Sequence, residues 1–346
     1  MDLKIINPRE YPDWDALLLR NHNHSFFHSS GWAQVLEKSY GYKPIYFTLI
    51  EAGQLAFLMP LMEVRSRLTG KRAVSLPFTD RCAPYAPKYE LLESAVNYAI
   101  DLGVKSSWKF LELRDAGYVA HDVIPSEVYY THDIELLKTE EDLFARLRDA
   151  NQRNIRKAGR EGICIKIDQS LDSVKSFYRL NCITRKRHGL PPQPFAFFNN
   201  VFVHIISKGL GIVISAYYSK EITASSVFFH FGSKAIFKYG ASEMKHQNLR
   251  PNNLIMWEAI KWYKNHGVEE LNLGRTEPQN QGLLQYKRTW GATERFLRYY
   301  RYDFRKKSFL QNKPRPQNIF IGNSILARMP TSLLRIMGSL TYKYLG

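Results

Sequence analysis

Tyr286, Lys287 and Arg288 place two cations directly beside an aromatic ring near the end of the chain. A cation and a hydroxyl aimed at one point can hold a developing oxyanion, which is the chemistry of acyl transfer. Upstream, Arg275 follows Gly274 at the end of the short apolar run Leu271-Asn-Leu273. A guanidinium at a strand's end lies where α/β sheets keep their ligands. The stretch from Leu271 to Ala292 therefore predicts a buried strand, a polar Gly/Pro loop, a short helix from about Gln281 and a second Gly turn at Gly291. Spacing by itself also fits, and rather favours, a solvated helix face for Lys287 and Arg288.

The run Gly274-Arg-Thr, Asn280-Gln-Gly-Leu and Tyr286-Lys-Arg-Thr-Trp-Gly291 resembles the C-terminal signature of the Fem-type aminoacyl/acyltransferases. That GNAT-like group includes the enzymes that build peptidoglycan interpeptide bridges. The resemblance implies that Tyr286 and Lys287 lie in an active site and that Trp290, in the same motif, helps to bind substrate. It covers most of the chain, best from about Arg153 to Asp303.

The elements needed to position these residues occur twice in the sequence. Ile45 to Ile50, a turn at Glu51-Ala-Gly53, Leu55 to Met62 and Ala73 to Leu76 predict a hairpin and a third strand. Tyr89 to Leu102 then has helical periodicity closed by Gly103, and Lys109 to Arg114 reads as a strand. Gly211 to Tyr218, Ile222 to Phe231, Ala235 to Tyr239, a helix from Asn252 to Asn265 and the strand Glu269 to Arg275 repeat that order. A duplicated α/β unit explains the repetition. Such an order is GNAT-like, and the resemblance implies two tandem GNAT-like domains with mixed sheets flanked by helices, an α/β (α+β) architecture. We place them at residues 1–137 and 138–308, with a tail at 309–346.

Several further segments are candidates for binding. Thr139 to Arg160 reads as one helix, capped by Thr139 and strongly basic in its later part, where Arg153 and Lys157 could hold phosphates. Asp80, in the loop Pro77-Phe-Thr-Asp-Arg81, matches a Leu-Pro-Phe-x-Asp loop of the Fem type that contributes to substrate binding. Arg250, Asn252 and Asn253 stand where GNAT folds hold a donor pyrophosphate at a helix N-terminus, with either Asn available as cap. The glycines of the usual phosphate loop are missing there, which weakens acyl-coenzyme A as donor. Fem-type enzymes lack that loop too and take aminoacyl-tRNA. No permanently bound cofactor is expected, and the co-substrate is acyl-CoA or aminoacyl-tRNA.

The formal net charge of +17 calls for an anionic partner: tRNA, a phosphate-bearing donor or an acidic membrane. After Asp303 no acidic residue occurs, and Leu333, Met337, Leu340 and Tyr344 recur at helical spacing. This basic amphipathic stretch, residues 331–345, fits an anionic membrane surface or a dock on the protein itself. Three separated cysteines give neither a disulfide framework nor a zinc pattern, and His22, His24 and His28 lack ligating neighbours, so no metal is expected. The N-terminus lacks a signal-peptide pattern and no apolar run reaches the ~18 residues of a membrane span. We expect a cytoplasmic protein, peripheral on the inner face of the membrane. The function expected is transfer of an acyl or aminoacyl group to an amine or hydroxyl of a cell-envelope precursor. The alternatives are a non-catalytic nucleic-acid-binding protein, suggested by charge and by Phe296-Leu-Arg-Tyr-Tyr-Arg-Tyr302, and a dead scaffold of the same fold.

Overall fold

The structure is a computed structural model and describes residues 3–21, 23–66, 69–117, 119, 123–311 and 323–345. The chain divides into two compact units. The first holds residues 1–129, 296–319 and 341–346, and the second residues 130–295 and 320–340.

The first unit begins with β1 (Lys4–Ile6), α1 (Trp14–Leu19) and α2 (Ser30–Tyr40), the last capped by the Ser29 hydroxyl. A hairpin follows, β2 (Lys43–Glu51) and β3 (Gln54–Ser66), turned by Ala52 and Gly53 at positive φ as two-residue hairpins require. Then come β4 (Gly70–Val74), α3 (Tyr89–Ser106) and β5 (Trp108–Arg114), the helix letting β4 and β5 pair in parallel. Leu91, Leu92, Ala95, Val96 and Ala99 of α3 cover Phe47, Phe57, Met59 and Leu61 of the sheet. The expected stop at Gly103 is wrong: α3 runs one turn further and ends on Ser107 at φ 57°. Gly103 is a packing residue, since a Cβ there would lie 2.1 Å from Phe304 Cζ and 2.7 Å from Trp108 Cε3.

Strand β6 (Glu127–Glu135) crosses into the second unit. Next are α4 (Glu140–Ala145), α5 (Asp149–Arg160), β7 (Cys164–Asp168), α6 (Leu171–Arg187) and α7 (Phe195–His204). The repeated order follows: β8 (Gly211–Tyr218), β9 (Glu221–Phe231), β10 (Lys234–Ser242), α8 (Pro251–Asn265) and β11 (Glu270–Thr276), with α9 (Gln281–Arg288) after it. Here too the helix makes its flanking strands, β10 and β11, parallel. Ile255, Ala259, Ile260 and Tyr263 of α8 pack on Ile212, Ile214, Phe228 and Leu271.

Finally come β12 (Thr293–Asp303), β13 (Ser308–Leu310), α10 (Asn323–Arg328) and α11 (Thr331–Thr341). In the first unit the strand order is β1-β2-β3-β4-β5-β12, with β13 on β12, and in the second β7-β8-β9-β10-β11-β6. Each sheet is antiparallel except for one parallel pair beside its closing strand. That closing strand, residues 296–303 in the first unit and 130–135 in the second, comes from a distant part of the chain.

One further expectation needs correction. The single helix over 139–160 is two helices broken at residues 146–148, although Thr139 caps α4 as its side chain suggests. At the break Leu147 is buried, the Arg148 N–H donates to the Thr289 carbonyl (3.1 Å) and Asn151 Nδ2 donates to Thr289 Oγ1 (2.8 Å). Bonds to a distant turn replace those of a continuous helix. The tail is helical, as its spacing predicts; α11 buries Leu334 and Gly338, while Leu333 and Leu340 of the apolar stripe are 47% and 61% exposed. Gly338 permits this seat, because a Cβ would meet the Pro192 carbonyl oxygen at 2.0 Å.

Candidate active site

Strands β10 and β11 pair only at their beginnings, Lys234 to Ile236 against Glu270 to Asn272. After a register shift between Phe237 and Tyr239, β10 stays paired with β9 as far as Ser242, while its parallel ladder with β11 has ended. A cavity of about 650 Å³ opens in the second unit, lined along β10 by Phe237, Gly240, Ala241 and Ser242. This is the size of a small-molecule or cofactor pocket. Its other walls are Asn151 and Asn154 of α5, Thr184, Arg187 and His188 from the end of α6, the first turn of α8, and Gln285, Tyr286 and Thr289 around α9. No carboxylate occurs among the described lining residues, so the cavity suits an anionic or neutral ligand.

The start of α8 brings Arg250, Asn252 and Asn253 to this wall. Neither Asn caps the helix, however. Arg250, at φ 60°, is the N-cap residue, with no side-chain cap bond, and Pro251 opens the helix. Asn253 instead donates from Nδ2 to Asn151 Oδ1 (3.0 Å), extending the link from Asn151 to Thr289. Pro251 has no N–H and the Asn253 N–H donates to the Arg250 carbonyl (3.1 Å), so the helix end presents the Asn252 N–H and its positive dipole end at the cavity wall.

Helix α9, capped by the Asn280 side chain on the Leu283 N–H, divides the two motif residues. Tyr286 lines the cavity, its ring edge-on to the buried Trp290 ring with centroids 5.9 Å apart. Burial pushes the Tyr286 hydroxyl up to about 12, so at neutral pH it remains a proton donor. Lys287 is 4% exposed and its Nζ donates to the carbonyls of Gly274 (2.8 Å) and Arg275 (3.2 Å). Those carbonyls lie beside an irregularity in the β11–β6 pairing between Asn272 and Arg275. Gly274 adopts φ 76° there, and its N–H is taken by Asn272 Oδ1 (2.8 Å).

Around Lys287 lies a polar cluster. Arg288 donates two hydrogen bonds to Glu294 (2.7 and 2.8 Å), and His132, fully buried, donates from Nε2 to the same carboxylate (2.9 Å). The hydrogen bond from Arg288 holds Glu294 below the usual carboxylate range. Burial and then the charge of Lys287 lower His132, which therefore stays neutral at pH 7.

Arg275, half-buried, pairs with Glu277 (3.1 Å). Arg153 and Lys157 lie on α5, the helix that also carries the cavity residues Asn151 and Asn154. Asp80 belongs to the first unit, where its carbonyl accepts from the Tyr299 hydroxyl and its neighbour Arg81 pairs with Asp115 (2.9 Å). Tyr299 and Tyr300 are buried with their hydroxyls bonded to main-chain carbonyls, so these two rings do not present faces on which bases could stack. His28 accepts from the Ser25 N–H inside a capping box, and His24 bonds the Asn21 carbonyl. His22 lies outside the described residues.

Sequence reasoning missed Thr184, Arg187 and His188. Partial burial, then Arg187 and Arg185, hold His188 below its ordinary range. The signal is the Gly189-Leu-Pro-Pro192 loop, which ends α6 so that its last residues meet the cavity.

Residues 145–288 match the acetyltransferase (GNAT) domain family. A stretch of 67 residues is 32% identical to the lipid II:glycine glycyltransferase of Staphylococcus haemolyticus and 30% identical to that of Staphylococcus epidermidis. It amounts to 18% of this chain and spans 16% of the length of those curated relatives. The crystal structure of FemX superposes with TM-score 0.66 at 15% identity, covering 88% of this chain and 97% of that one. A tandem GNAT protein from the clavulanic acid pathway gives 0.53 at 8% identity, covering 88% and 98%. L-PGS from Bacillus licheniformis gives 0.53 at 12%, covering 94% and 97%. At such identities the likeness is one of fold, and the fold is the tandem GNAT arrangement.

Proposed function

From its place in the Fem-type GNAT family, with the GNAT domain at residues 145–288, we propose that the chain is an acyl- or aminoacyltransferase. It moves the group from acyl-CoA or aminoacyl-tRNA to an amine or hydroxyl of a cell-envelope precursor. The observation that carries the reading is the cavity where β10 and β11 part, free of carboxylates among its described lining residues and lined by Tyr286, whose hydroxyl stays protonated.

In this reading the donor's phosphates lie against Arg250, Arg187 and the backbone N–H of Asn252, and its acyl carbonyl reaches Tyr286. The acceptor attacks that carbonyl directly, without a covalent enzyme intermediate. The new bond forms, the oxyanion collapses, and the thiol or tRNA hydroxyl leaves with a proton while the acceptor loses one. Positioning supplies most of the acceleration. Tyr286 donates to the oxyanion, and Lys287 acts beside it, its charge fixed on the Gly274 and Arg275 carbonyls. Trp290 holds the Tyr286 ring, while Arg275, Arg153 and Lys157 bind the remainder of donor and acceptor. By analogy with the glycyltransferases, whose name gives lipid II as acceptor, the acceptor is lipid-linked and the protein works on the inner membrane face through residues 331–345.

Transfer of labelled acyl groups from acyl-CoA and from charged tRNA to lipid-linked precursors tests the proposal. Tyr286→Phe is expected to lower kcat about 10²-fold, as loss of one oxyanion donor does, with little change in melting temperature. Lys287→Met is expected to abolish transfer and also to cost about 1–3 kcal/mol of stability, since two carbonyls lose their donor. Full activity in either variant, or no transfer and no thermal stabilisation with either donor class, would overturn it.

A further inference from the structure

A second cavity of the second unit, about 670 Å³, lies between α6 and α11 and is open to solvent. Its cations are Lys175, Arg179 and Arg335, and its aromatic walls are Tyr178 and Phe195. The one carboxylate among its described lining residues, Asp172, is taken by Lys175 (3.0 Å). Arg335 stacks on the Tyr178 ring, 5.6 Å from its centroid, which fixes the guanidinium at the wall. A groove that joins aromatic surface to guanidinium groups fits an amphiphile with an anionic head.

Helix α11 itself is seated through Leu334 and Gly338, and its other side carries Leu333, Ile336 and Leu340, 47%, 57% and 61% exposed. Positions i, i+3 and i+7 form a single ridge. This ridge belongs to a stretch with no Asp or Glu after Asp303 but with Arg305, Lys306, Lys307, Arg328, Arg335 and Lys343 among its cations. No helix among the described residues is long and apolar enough to cross a membrane. An apolar ridge on a basic background suits burial to the level of the lipid headgroups.

We propose that α11 lies in an anionic phospholipid surface, with Leu333, Ile336 and Leu340 at the boundary of headgroups and acyl chains, while the groove beside it seats one lipid phosphate on Arg179 and Arg335. The inference deepens the membrane part of the proposed function and rests on it for its purpose. Its test needs neither donor nor acceptor. The site is separate from the cavity at Tyr286, so a failure here leaves the transferase reading standing.

Full-length protein is sedimented with vesicles of phosphatidylcholine and of phosphatidylcholine with 30% phosphatidylglycerol, at about 0.1 M salt, where surface charges still act over ~10 Å. Binding is expected to the anionic vesicles and not to the neutral ones. Leu333→Asp/Leu340→Asp and, separately, Arg179→Glu each lower it at least tenfold, while melting temperature stays unchanged. Short-chain phosphatidylglycerol below its micelle concentration is expected to raise the melting temperature of the wild type but not of Arg179→Glu. Equal binding to both vesicle types, undiminished binding by either variant, or an Arg179-dependent shift with inorganic phosphate equal to that with the lipid would overturn the proposal.

Discussion

Tyr286 and Lys287 are neighbours in sequence with opposite surroundings: the tyrosine lines a cavity and the ammonium is buried on two carbonyls. The charge of Lys287 extends to His132, whose neutral state then couples stability to pH. An imidazole in the unfolded chain titrates near 6.5, and burial and Lys287 place the folded value lower. As pH falls, the unfolded chain takes up the proton first, so this contribution is complete above about pH 6.5 and declines toward the folded value. His132→Gln removes that titration while keeping a donor for Glu294. Melting temperature against pH should therefore fall less steeply below about 6.5 in the variant than in the wild type. Equal slopes would show that His132 does not contribute. The motif made both Tyr286 and Lys287 legible as candidates, but that Lys287 would be buried on the carbonyls of Gly274 and Arg275 has no signature in local spacing. His188 and Arg187 were not legible either, because they reach the cavity from a helix far away in the chain.

The elements were legible where local rules act alone. The hairpins, the Ser29, Thr139 and Asn280 caps and the repeated strand-helix-strand order follow from periodicity and turn residues. They failed where tertiary contacts outweighed those rules, at Gly103 and at residues 146–148. This difference predicts two opposite outcomes for one substitution. Gly103→Ala gains up to ~1 kcal/mol of helix propensity but forces a methyl against Phe304 and Trp108, a clash worth about 1–3 kcal/mol, so the melting temperature should drop by a few degrees. Gly159→Ala in α5 meets nothing within 4 Å and should raise stability by up to ~1 kcal/mol. A rise in both would mean that α3 yields at Gly103 without strain.

Across the whole molecule, the closing strand of each unit's sheet decides what can fold alone. A fragment of residues 1–137 lacks residues 296–303, so β5 loses its antiparallel partner at Leu111 to Arg114 and the core loses Tyr300. Unpaired backbone and exposed apolar surface make a cooperative fold unfavourable. The fragment is expected to give no sharp thermal transition, whereas the full chain does; a cooperative transition in the fragment would refute this. The sequence by itself determined the basic charge, the two α/β copies and the motif that carries Tyr286 and Lys287, because composition, periodicity and turn chemistry are local properties of the chain. Only the tertiary structure decided which strand closes each sheet, where β10 leaves β11, and which face of α11 is buried. Those outcomes depend on pairing and packing between residues far apart in sequence, where each group's partner fixes its role.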